Sequence, residues 1–137
     1  MTVIVTDGGF AADDWTGAIA PLAEFADHAA VVAVDLAATD DPLRLSNRLG
    51  EIALIRISFA AFNDGRGFTL ARRLRMMGYV GRLRAAGPLL ADQYTMARRV
   101  GFDEVEIPDE MAARQPEAQW RFRADWQAHD YQSRLRA

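Results

Sequence analysis

Residues 70–79, LARRLRMMGY, are echoed by residues 96–102, MARRVGF. Both are arginine-rich helical segments that end on a glycine followed by an aromatic residue. Glycine readily takes the left-handed conformation that stops a helix. Gly78 and Gly101 therefore predict helix ends, after which Tyr79 and Phe102 fold back on the preceding turn and begin a strand. The unit recurs at about 23 residues, counted from Tyr79 to Phe102. That is the length of a strand-helix unit, and repeated units of this kind imply parallel strands joined by right-handed crossovers.

The rest of the chain extends the same pattern. IALIRISF (52–59) reads as a strand covered on both faces, because it is almost continuously apolar. A helix over 67–77 follows, with Leu70, Leu74 and Met77 on one face. YVGRLRAAG (79–87) is the next strand, Pro88 opens a helix to about Val100, and FDEVEI (102–107) is the last strand. Upstream, VVAVDLA (31–37) reads as a buried strand. Asp41 and Pro42 then start a helix that ends near Gly50. VIVTDGGF (3–10) reads as a hairpin, and Pro21 suits the start of a helix over 21–28. The expectation is one α/β domain: three layers, a mainly parallel sheet of about five strands with helices on both faces, an N-terminal β-hairpin, and a C-terminal helical tail. The core spans about 30–108 and the tail about 109–137.

Composition narrows the chemistry. The 137 residues are half hydrophobic, enough for a core without staples. The net charge of -3 is the wrong sign for a general nucleic-acid binder. No apolar run approaches the roughly 18 residues that span a bilayer. The N-terminus MTVIVTDGGF lacks a basic start and a long apolar segment, so the expected location is the cytoplasm. There is no cysteine, which removes thiol redox chemistry and thiolate ligation. There is also no lysine, so neither a Schiff base nor a phosphate-loop lysine can form. A redox role would need a bound cofactor, a flavin or a nicotinamide nucleotide. His28 and His129 lack partners at metal-ligand spacing, and no metal is expected.

In open parallel sheets, ligands bind beyond the carboxyl ends of the strands. Two loops fall there, 60–67 and 85–88, and both feed helix N-termini that favour anions. The candidate anion ligands are Asp64, Gly65, Arg66 and Gly67 in the first loop. Arg84, Gly87, Asp92 and Gln93 belong to the second. Arginine offers a bidentate fork to sulfate, phosphate or carboxylate. Each residue also has a plainer reading. Asp64 could cap a glycine turn, Arg84 could bridge strand ends, and Asp92 and Gln93 could be solvated helix positions. No catalytic set is legible. Asp13-Asp14 and Asp40-Asp41 read as helix caps, and the run ARRLR (71–75) as a solvated face. The aromatics of the tail, Trp120, Phe122, Trp126 and Tyr131, read as packing on the domain, a homodimer contact, or a grip on another partner.

The segment 62–107 resembles the bacterial family called domain of unknown function 934. Its members show a D-G-R-G-[FY]-[ST] loop, here Asp64 to Thr69, and an L-R-A-x-G strand end, here Leu83 to Gly87. They also show an R-D-Q helix start, here Ala91 to Gln93, and a G-F-D strand start, here Gly101 to Asp103. VIVTDGGFAADDW near the start and Tyr131-Gln132 near the end resemble the family's termini. The chain departs at Ala91, where many members have arginine, at Val100, where many have cysteine, and at Asn63, where threonine or serine is usual. The resemblance implies a protein of assimilatory sulfite or sulfate reduction. It would be either an oxidoreductase or an accessory component that acts with sulfite reductase. The alternative is a non-catalytic homodimeric scaffold with no small-molecule site.

Overall fold

The computed structural model describes residues 2–25 and 32–127. In chain order the strands are β1 (Thr2–Thr6), β2 (Gly9–Ala11), β3 (Ala20–Pro21), β4 (Ala33–Ala37), β5 (Leu54–Ser58), β6 (Arg82–Ala86) and β7 (Glu104–Pro108). The helices are α1 (Leu22–Phe25), α2 (Arg66–Met76), α3 (Tyr94–Val100), α4 (Asp109–Arg114) and α5 (Glu117–Phe122). His28, His129 and Tyr131 lie outside the described residues.

The helix stops of the echoed segments form as the spacing predicts, although the strands begin later, at Arg82 and Glu104 rather than at Tyr79 and Phe102. The main-chain N–H of Tyr79 bonds the carbonyl of Leu74, and that of Phe102 bonds the carbonyl of Ala97, both at 3.0 Å. Each is the six-residue closure that ends a helix on a left-handed glycine. Gly78 has φ +102° and Gly101 φ +120°. The arginine three residues before each glycine completes the motif. Arg75 donates to the Tyr79 carbonyl at 3.0 Å, and Arg98 to the Phe102 carbonyl at 2.5 Å. Arg75 also donates to the carbonyls of Gly81 and Gly101. It clamps two strand starts rather than forming part of a solvated face.

The strands form one mixed sheet in the order β2-β1-β7-β6-β5-β4-β3. Strands β3 to β7 are mutually parallel neighbours, which makes a five-stranded parallel part. The hairpin β1-β2 adds two more strands, with β1 antiparallel to β7. The five parallel strands and the hairpin match the expected parts in outline; the difference is that the hairpin joins the same sheet, which therefore has seven strands. The expectation of helices on both faces also needs correction. From β3 to β7 each strand adds beside the one before, so every crossover steps the same way. With one handedness, such crossovers stack on one face. Phe68, Leu70, Ala71 and Leu74 of α2, Tyr94 and Ala97 of α3, and Trp120 of α5 share a single buried cluster. Its other members include Val34, Leu36, Ile55, Ile57, Leu83, Ala85, Val105 and Ile107 from the sheet.

Local geometry differs from the sequence reading in two connections. The segment after Asp41 forms two short 3-10 turns, Pro42–Leu45 and Leu49–Glu51, instead of one helix. Asp41 does cap the first, accepting the Leu43 N–H at 3.0 Å. The segment after Pro88 begins with a 3-10 turn at Ala91–Gln93 before α3.

Candidate functional site

The strand-end region is built around Phe59. This ring sits 5.2 Å from Phe68 and 6.1 Å from Phe102, measured between centroids. A Cβ at Gly67 would stand 2.3 Å from the Phe59 ring, and one at Gly87 would stand 2.4 Å from the Phe59 carbonyl oxygen. Gly87 also has φ +138°. Two of the candidate glycines are therefore explained by close packing. Gly65 differs: its φ is -67° and a Cβ there would meet nothing within 4 Å.

The polar candidates are mostly engaged with one another or with the main chain. Asp64 accepts the Arg66 backbone N–H at 3.2 Å and its guanidinium at 2.9 Å through both carboxylate oxygens. These Arg66 hydrogen bonds hold the Asp64 carboxyl below its ordinary value. The Arg66 side chain is nonetheless 64% exposed. Gln93 accepts the Leu90 N–H at 2.9 Å and donates to the Phe62 carbonyl at 2.5 Å, which ties the two candidate loops together. Asp92 pairs with Arg123 of the tail at 3.0 Å.

A shallow groove of about 200 Å³ opens beside this region. It is lined by Ala38, Asp40, Arg66, Thr69, Leu70 and Arg73. It lies between the turn that follows β4 and the first two turns of α2. Arg66 and Arg73 supply its cationic groups; Arg73 is half-exposed and lies 3.9 Å from Asp41. Asp40 is held in the turn by the Ala37 N–H at 2.8 Å. Arg73, Thr69 and Asp40 were not among the sequence candidates. The seven-residue spacing of Arg66 and Arg73, two turns of one helix, was the available signal.

Arg84 stands elsewhere. β6 extends to Ala86, into the 85–88 loop, so Arg84 lies within the strand, on the sheet face away from the helices. It is fully buried, and of its two sequence readings the ion-pair one describes its setting. Its Nε donates to Glu104 at 2.5 Å, its Nη1 to Glu106 at 2.9 Å, and both terminal nitrogens to Asp13 at 3.0–3.1 Å. Arg82 pairs with Glu104 and Asp14, and Arg56 with Asp35. Asp13 and Asp14 are not helix caps, since residues 12–19 contain no helix. Burial pushes the Asp13 carboxyl up, but the Arg84 hydrogen bonds outweigh it and hold the pKa below normal. The register explains the row: Asp35, Arg56, Arg84 and Glu104 are direct cross-strand partners. Its signal in the sequence was charge at alternate positions, Arg82 with Arg84 and Glu104 with Glu106.

The tail divides its aromatics. Trp120 is buried and donates its indole N–H to the Gln115 carbonyl at 2.9 Å. Trp126 carries the Arg98 guanidinium 4.7 Å above its ring. Phe122 is 76% exposed. It stands between grooves of about 320 and 300 Å³, both of which also touch Arg123.

Among the described residues, no group of three or more histidine and acidic side chains is placed to hold a metal ion. No helix among them is long and apolar enough to cross a membrane. A family model described as bacterial protein of unknown function (DUF934) matches residues 33–137. No curated protein and no solved structure matches the chain.

Proposed function

The chain belongs to the bacterial DUF934 family, and from that premise we propose that it is an accessory component of assimilatory sulfite reduction. It works in the cytoplasm beside a sulfite reductase and holds a small oxyanion for that partner. The motif resemblance at residues 64–69 and 83–87 supports the pathway. The observation that carries the role is the groove along α2, where Arg66 at the helix N-terminus, held by Asp64, and Arg73 two turns further on present solvent-reachable guanidinium groups. A groove of about 200 Å³ suits an ion of the size of sulfite or sulfate better than a dinucleotide. The accessory role is favoured over catalysis by a flavin or nicotinamide enzyme because the polar side chains at the strand ends are engaged in internal bonds. Gln93 ties the two loops together, Asp92 pairs with Arg123 of the tail, and Asp64 orients Arg66.

Titration calorimetry with sodium sulfite and sodium sulfate tests the groove. Arg66→Ala and Arg73→Ala are each expected to weaken binding by about 1–3 kcal/mol, the loss of one charged hydrogen bond. The double variant is expected to abolish binding. Unchanged affinity in the double variant would exclude the groove.

A second reading, a homodimeric scaffold joined through the tail, is favoured by Phe122. An exposed aromatic side chain flanked by two grooves is the kind of anchor-and-pocket pair that a two-fold interface uses twice. Native mass spectrometry reads it. A dimer mass that Phe122→Ala converts to monomer is expected, whereas a monomer at every concentration up to ~100 µM, well above the micromolar Kd of a weak specific interface, removes this reading.

A further inference from the structure

We propose that residues 12–19 form a displaceable strap, and that the Asp13 carboxylate occupies a seat for a small oxyanion on Arg84. The segment crosses the charged face of the sheet between the end of β2 and the start of β3. Among the described residues, its main chain makes no hydrogen bond to the sheet. The Trp15 N–H is taken by Asp13 within the same segment. The segment's polar ties to the sheet are two side chains. Asp13 accepts from both terminal nitrogens of Arg84, and Asp14 accepts from Arg82 at 2.5 Å.

The sheet beneath is balanced without the strap. Arg56, Arg82 and Arg84 stand with Asp35, Glu104 and Glu106, three cations and three anions. Each arginine keeps a sheet carboxylate when the strap lifts: Arg56 with Asp35 at 2.8 Å, Arg82 with Glu104 at 2.7 Å, Arg84 with Glu104 at 2.5 Å. Opening therefore strands no buried charge. The closed strap also leaves the Trp15 indole nitrogen shut off from solvent with no acceptor among the described residues. Release to water satisfies that donor.

Lifting Asp13 frees one N–H on each terminal nitrogen of Arg84. Two parallel donors on a planar fork are the arrangement that takes a carboxylate, sulfite or sulfate bidentately. Arg84 is fully buried while the strap is closed, so an ion reaches the fork only when Asp13 moves away. The seat shares no residue with the Arg66–Arg73 groove and goes beyond the reading of that groove.

The test uses the full chain with sulfite, sulfate and formate as probes. Asp13→Ala is expected to bind sulfite at least tenfold more tightly than the parent, and formate is expected to raise the melting temperature of the variant but not of the parent. In the parent, saturating sulfite is expected to speed amide hydrogen exchange across residues 12–19. Equal affinity in the two proteins, with no change in exchange, overturns the proposal. So does a strap that opens for a short polyglutamate peptide but not for free ions, because the ligand is then a partner's side chain. Should Asp13→Ala fail to fold, the exchange measurement on the parent decides alone. Arg66→Ala/Arg73→Ala combined with Asp13→Ala separates the sites: loss of groove binding with the new affinity retained leaves the strap standing.

Discussion

Arg84→Ala lowers the stability of the fold by about 3–5 kcal/mol, the usual cost of removing one partner from a buried ionic cluster. Glu104 is 5% exposed and would keep only Arg82, while Glu106 would keep only the distant Arg56 at 3.9 Å. The desolvation of these carboxylates remains while the closest cation is gone. Urea denaturation followed by circular dichroism measures the effect as a fall in midpoint at unchanged slope. Arg84→Lys is expected to recover only part of the loss. One ammonium cannot serve Glu104, Glu106 and both oxygens of Asp13 with the reach and planarity of a guanidinium. Arg84→Met is expected to resemble alanine more than lysine, because restoring apolar volume does nothing for the unpaired carboxylates. A loss below about 1 kcal/mol in Arg84→Ala would mean that the row is a surface network of small worth.

Trp120→Ala is expected to cost a similar amount, about 3–5 kcal/mol, as a large buried side chain is exchanged for a cavity. The ring is 1% exposed and stands edge-on to Tyr94, 6.2 Å between centroids. The consequence reaches the candidate loops. Trp120 bonds the Gln115 carbonyl, and the Gln115 side chain in turn accepts the Ala91 N–H at 2.6 Å. Loosening the tail therefore loosens the 3-10 turn that carries Asp92 and Gln93. Hydrogen exchange is expected to rise at residues 88–93 in Trp120→Ala beyond its global change. Trp120→Phe keeps most of the packing and loses one hydrogen bond, with an expected cost near 1–2 kcal/mol. Undisturbed exchange at 88–93 in the alanine variant would show that the turn stands without the tail.

These two residues also mark the limits of reading the sequence alone. Trp120 and Phe122 are two residues apart in one aromatic tail, and no periodicity distinguishes them. Only packing sets one against Tyr94 and leaves the other in water. Arg84 sits in a segment whose composition suited a strand end, and its burial depended on carboxylates from residues 13, 104 and 106. A pairing across seventy residues has no local signal.

Local grammar was written along the chain. Helix stops at Gly78 and Gly101, the order of strands and helices through residues 52–107, the hairpin at the N-terminus and the α/β class were all legible. They depend on backbone preferences and hydrophobic patterning within a few residues. How the crossovers step was set by strand pairing across the whole sheet. Because each parallel strand adds beside its predecessor, the sheet order does not reverse between β3 and β7. Among the described residues the helices share one face, and the strand ends lack the reversal at which open sheets part to form a ligand crevice. The other face became a layer of paired charges beneath residues 12–19. That outcome follows from long-range register, which alternation along one strand permits but does not specify.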